Sequence, residues 1–125
     1  LFETALGPQD ILTAIRLPAA KPDTRVGFAE LARRHGDYAI VGLAASASAN
    51  GKKLAGVRLA YFGVGATPVR VRKSEDALMN GTVDDAVAAL DLAPEDDVQA
   101  TAATKKHLAG VLLRRVAQQL MEARP

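Results

Sequence analysis

Cysteine is absent from the 125 residues, so no disulfide staples the fold, and the chain has no thiolate to hold zinc or an iron–sulfur cluster or to act as a nucleophile. Such cysteine usage fits a cytoplasmic protein. Only two histidines occur, His35 and His107, and they fall on different predicted elements without a two-histidine helical spacing. No metal motif is recognisable. Charge of one sign is not in excess either: 16 Lys and Arg stand against 14 Asp and Glu, a net of +2, so the electrostatic footprint of a nucleic-acid binder is missing. No apolar run approaches the ~20 residues that span a bilayer, and the N-terminus lacks the basic-then-apolar pattern of a signal peptide. A nucleophile elbow and a P-loop are absent, and Gly63-x-Gly65 lacks both the third glycine and the helix start of a dinucleotide fingerprint.

The length suits a single domain with one core. Apolar residues make up 49%, but alanine supplies much of that share, which predicts a thin core with close backbone approaches. The chain opens on Leu1 and Phe2 rather than methionine and reads as a fragment or a processed product.

Ile11, Leu12, Ile15 and Leu17, closed off by Pro18 and Pro22, predict a strand over residues 11–17. Residues 25–32 read as a second strand, in which Val26, Phe28 and Glu30 alternate. From Ala39 onward Val41, Leu43, Ala45, Ala47 and Ala49 keep a period of two. Asn50-Gly51-Lys52-Lys53 then supplies a turn, and Val57, Leu59 and Tyr61 resume the alternation, so a hairpin is predicted. Val69 and Val71, set between Arg70 and Arg72, predict a short edge strand or extended link.

The pattern then becomes helical. Ser74 as cap, Glu75-Asp76 in the first turn and Gly81 as stop predict one short helix. Thr82 with Asp85 forms a capping box for a second helix that ends before Pro94. Leu108, Val111, Leu112, Val116 and Leu120 line one stripe of a long last helix. Strands over about 9–72 followed by helices over about 74–123 predict an α+β domain: a small antiparallel sheet of three or four strands with three helices packed on one face.

Few residues suggest chemistry. Asp84, Asp85, Glu95, Asp96 and Asp97 read as acids offsetting helix dipoles rather than as paired catalytic carboxylates. Lys105, Lys106, Arg114 and Arg115 read as a solvated face of the last helix, with an acidic partner as the alternative. The stretch ARRHGDYAIVGLAA differs, because Arg33, Arg34 and His35 lie on a turn whose exit strand is buried at once. A fixed cationic edge favours an anionic ligand or a cofactor that gains negative charge on reduction, and a solvated turn is the competing reading.

Four segments, ETALGPQDILTAIRLP, FAELARRHGDYAIVGLAA, VRLAYFGVGATPVR and TKKHLAGVLLRRV, taken in this order, resemble the C-terminal domain of the flavoprotein (medium) subunit of the carbon monoxide dehydrogenase and xanthine dehydrogenase family. The resemblance covers nearly the whole chain, residues 1–125. It implies one C-terminal domain of a molybdenum hydroxylase whose medium subunit carries FAD. A large partner subunit would hold the molybdenum cofactor and a small one the two 2Fe–2S clusters, and the complex would be a candidate homodimer. Electrons would run from the clusters through FAD to an acceptor. The glycine-rich loops that hold FAD lie upstream in the family and are not found in these residues, so the chain alone should bind flavin poorly and should not be catalytic. The resemblance carries cofactor contact over to Arg33, Arg34, Asp37 and Tyr38, with Tyr38 against the isoalloxazine. Glu30 departs from the lysine of some members. A noncatalytic packing domain, meeting neighbouring subunits through the last helix, is the alternative.

Overall fold

A computed structural model describes residues 4–51 and 53–122. Four strands, β1 (Thr24–Leu31), β2 (Val41–Asn50), β3 (Lys53–Phe62) and β4 (Val69–Arg70), form one antiparallel sheet in chain order. Three helices follow: α1 (Arg72–Asn80), α2 (Val83–Ala88) and α3 (Ala102–Glu122). The α+β order expected from the sequence is the order found. All three helices cover one face, with α3 across β1 and β2, α1 against β3, and α2 packed on α1 and α3.

The period of two in β2 and β3 decides which face is covered. Val41, Leu43, Leu59 and Tyr61 point inward and are fully buried against Leu112, Leu113, Val116 and Leu120 of α3. Small residues let the layers meet. A Cβ on Gly27 would lie 2.9 Å from Val116 Cγ1, and Ala109, Gly110 and Ala117 are buried on the facing side of α3. Within this contact the Tyr61 hydroxyl donates to the Ala109 carbonyl at 2.7 Å, and burial pushes its pKa far up. The hairpin turns at Gly51, while Lys52 lies outside the described residues. One step along, Gly56 and Val57 together oppose Ala47, a bulge for which Gly56 takes a left-handed φ of 56°.

The passage from sheet to helices hangs on Glu75. Its carboxylate, buried at the start of α1, accepts from the Leu59 amide at 2.9 Å and from Arg70 Nε and Nη2 at 3.0 and 2.6 Å. Helix α1 therefore begins at once after β4, with Val71 at the cap position and no side-chain cap. Ser74, the expected cap, is instead buried inside the first turn with its hydroxyl unpartnered. Gly81 ends α1 as expected, and the Thr82–Asp85 capping box opens α2. That helix stops at Ala88, short of the expected Leu92, because the chain turns to bury Leu92.

The strand expected over residues 11–17 is not formed. Ile11, Leu12, Ile15 and Leu17 are all more than half exposed in an extended segment outside the sheet. At the β1 edge of the sheet the Phe28 amide is already taken by Gln119 Oε1 of α3 at 2.8 Å, so a fifth strand there could not claim that bond.

Two outcomes follow from these bonds. Tyr61→Phe removes one buried hydrogen bond while leaving the ring in place and should cost about 1 kcal/mol, read by urea unfolding. Burial raises the Glu75 pKa, but the Arg70 and Leu59 hydrogen bonds and the charges of Arg70 and Arg72 outweigh it and hold it below the usual carboxylate range. A carboxyl depressed on folding contributes stability above its unfolded pKa and loses it as pH falls through the folded value. Wild-type stability should therefore drop as pH falls below about 4, and Glu75→Gln should flatten that drop while costing about 2 kcal/mol at pH 7.

Candidate functional site

The connection from β1 to β2 carries the residues singled out by charge. Its base is closed where the Ile40 amide donates to the Leu31 carbonyl at 2.7 Å. Its tip is a turn in which the Asp37 amide donates to the Arg34 carbonyl at 3.2 Å, with Gly36 at a φ of 82°, a conformation that favours glycine. Arg34 Nε lies 3.3 Å from Asp37 Oδ2, so these two expected site residues are brought together and the carboxylate is spent on holding the turn. Arg33 makes no ion pair among the described residues and keeps its full charge. Tyr38 projects outward and is 88% exposed.

Beside this turn is a recess of about 320 Å³ lined by Glu30, Ala32, Arg34, His35 and Gly36. Glu30 thus sets a carboxylate on the wall that also carries Arg34. The recess is open and has no glycine-rich cradle, so it can offer a wall to a flat ring but cannot enclose a dinucleotide.

A larger cavity of about 450 Å³ opens at the same end of the sheet, between Ala39, the Gly63–Ala66 loop, the acidic run at residues 95–97 and Lys105. The solvated face expected for Lys105 is corrected here: the residue is 4% exposed, and its Nζ donates to Asp97 Oδ2 at 2.7 Å. Asp97 also accepts from the Gln99 and Ala100 amides, and Asp96 accepts from the Ala102 amide. These acids hold the entry into α3. Sequence reasoning placed them at a helix start but missed the lysine, whose spacing of eight residues from Asp97 follows from how the loop folds back. Arg114 pairs with Asp84, leaving Lys106 and Arg115 as exposed cations on α3. Among the described residues, no group of three His, Asp or Glu side chains is placed to hold a metal, and no helix is long and apolar enough to cross a membrane.

Comparison with known proteins places this geometry. Residues 27–120 match the family described as CO dehydrogenase flavoprotein C-terminal domain. The chain is 31% identical over 126 residues to the carbon monoxide dehydrogenase medium chain of Afipia carboxidovorans, an alignment covering 94% of this chain and 43% of that protein. It is 33% identical over 82 residues to caffeine dehydrogenase subunit beta of a Pseudomonas species, covering 66% and 28%. Reconstituted CO dehydrogenase from Oligotropha carboxidovorans superposes with a TM-score of 0.82 at 28% identity, over 96% of this chain and 44% of that one. Quinoline 2-oxidoreductase from Pseudomonas putida 86 gives 0.73 at 27% identity, over 81% and 38%. The chain spans less than half the length of the relatives it matches.

The Lys105 hydrogen bond, followed by the Ala100 and Gln99 amides, lowers the Asp97 pKa to about 2. Lys105→Met should raise it toward the ordinary carboxylate range, with the two amides keeping it somewhat below, as read by carboxyl NMR titration. The acid-driven loss of stability from this group, which starts at the unchanged unfolded pKa, should then be smaller and be complete at higher pH than in the wild type.

Proposed function

Because this chain belongs to the CO dehydrogenase flavoprotein C-terminal domain family, we propose that it is the C-terminal part of a flavin subunit and presents the 33–38 turn to the isoalloxazine ring of FAD. Bound FAD would supply the redox chemistry, linking 2Fe–2S clusters on a small partner subunit to an electron acceptor, with the molybdenum cofactor on a large subunit. The observation that carries the reading is Tyr38: an aromatic side chain 88% exposed, on a turn held at its base and its tip, beside two arginines. An outward-facing phenol has a flat apolar face suited to stacking on a planar ring.

The residues divide the work. Tyr38 provides the stacking face. Asp37 holds the turn through Arg34, and that ion pair offsets much of the Arg34 charge. Arg33 is left as the main cation, and a positive charge at the ring's edge favours the state that is more negative after reduction. The phosphates and ribose would be held by other parts of such a subunit, since the recess beside the turn offers only a wall. Names among the relatives mention carbon monoxide and caffeine, and the structural match to quinoline 2-oxidoreductase adds a third compound. A domain shared across such different compounds fits the common flavin step better than substrate selection.

The outer sheet face favours a second reading, a packing domain within a complex. Val26 and Phe28 are exposed there, and Phe28 stacks on Phe62 at 5.9 Å between centroids. An apolar face of this kind suits contact with another part of the assembly.

In the full-length parent, replacing Arg33 and Arg34 together with glutamine should lower the flavin midpoint potential by on the order of tens of millivolts, with Arg33→Gln giving most of the effect. Spectroelectrochemical titration reads it, and an unchanged potential sinks the flavin-facing role. Loss of subunit assembly on Phe28→Ser, with the flavin signal intact in Tyr38→Leu, would favour the packing reading.

A further inference from the structure

Gly63 follows the last residue of β3, and the chain there crosses the backbone that leads out of the 33–38 turn. A Cβ on Gly63 would lie 2.8 Å from the Ile40 carbonyl oxygen and 2.9 Å from that of Ala39. Both obstacles are main chain, which cannot rotate aside as a side-chain tip can. The residue also has a φ of 76°, so both space and conformation call for glycine. The next residue, Val64, is 5% exposed and anchors the loop in the core. Ala39 and Ile40 are thus held from two sides, by the Leu31 carbonyl through the Ile40 amide and by the Gly63 backbone. Tyr38 projects from this clamped pair.

We propose that Gly63 is a positioning residue for the flavin-facing turn: its missing side chain lets the β3–β4 loop seat against Ala39–Ile40 and so sets where Tyr38 stands. The role rests on the reading that Tyr38 faces the flavin. Its mechanical half, the coupling of residues 63–64 to residues 38–41, stands apart from that reading.

Three variants of the full-length chain separate contact from strain. Gly63→Asn keeps a residue that tolerates positive φ but introduces the clashing Cβ. Gly51→Ala has the same kind of φ penalty, at 62°, with nothing within 4 Å of the new Cβ. Gly65→Ala alters the same loop as Gly63, where the nearest atom is 3.9 Å away. Hydrogen exchange measured by mass spectrometry should be at least tenfold faster over residues 37–41 in Gly63→Asn and unchanged there in the two controls. The visible circular dichroism of the bound flavin should change in Gly63→Asn alone. Unchanged exchange over 37–41 in a folded Gly63→Asn chain overturns the proposal. So does a flavin signal that moves with Tyr38→Leu but not with Gly63→Asn. If neither variant moves the flavin while exchange is faster, the flavin reading has failed and the coupling stands. Should Gly63→Asn not accumulate folded, wild-type exchange decides: one shared opening rate for 38–41 and 63–65 supports the coupling, and independent rates overturn it.

Discussion

The carboxylate of Glu75 joins the two halves of this fold. It accepts the Leu59 amide of β3 and both nitrogens that Arg70 offers from β4, so one buried group ends the sheet and begins the first helix. Removing it would leave a buried amide without a partner and an arginine drawn toward an empty position, a cost larger than the net value of any one of the three bonds. Because β4 needs only two residues before Glu75 takes over, α1 can fold straight back under β3. That return brings α2 and then α3 onto the same face of the sheet, where Tyr61 fixes α3 at Ala109. Among the described residues, no helix packs on the other face.

This arrangement makes one end of the sheet rigid. The β1–β2 turn and the β3–β4 loop both emerge there, and each is tied to buried structure, the first by the Leu31–Ile40 bond and the second by Val64. Lys105 and Asp97 hold the entry to α3 close by. Backbone tied down in this way fixes where Tyr38 and the arginines leave the chain, while their side chains extend into solvent. The same end also has the two open recesses, so a partner ring or chain can approach without displacing the core.

How much of this could be read from residues alone depended on whether the signal was local. The β2–β3 hairpin was legible because a period of two runs unbroken through Val41–Ala47 and Val57–Tyr61, and α3 because Leu112, Val116 and Leu120 repeat every four residues. The cationic turn was legible as a candidate because it meets a buried strand without a spacer. Ile11–Leu17 misled, since apolar residues closed off by Pro18 and Pro22 show that a long helix is disfavoured and say nothing of whether a neighbouring strand is present. Ser74 misled because its preference for a cap is local, while the start of α1 is set by a bond to β3. Glu75 read as a first-turn acid and Lys105 as part of a solvated face, and only the tertiary fold brings their partners to them. Gly63 drew notice in the sequence as part of an incomplete dinucleotide fingerprint, and its crowding against Ala39 and Ile40 arises from two segments more than twenty residues apart.

The cationic turn is proposed above to belong to a flavin protein. The most direct test is the visible absorption spectrum of the full-length parent polypeptide before and after dithionite. Bands in the flavin region that bleach on reduction are the expected result. A folded, colourless parent that also fails to take up added FAD would contradict the account and leave the domain a packing module.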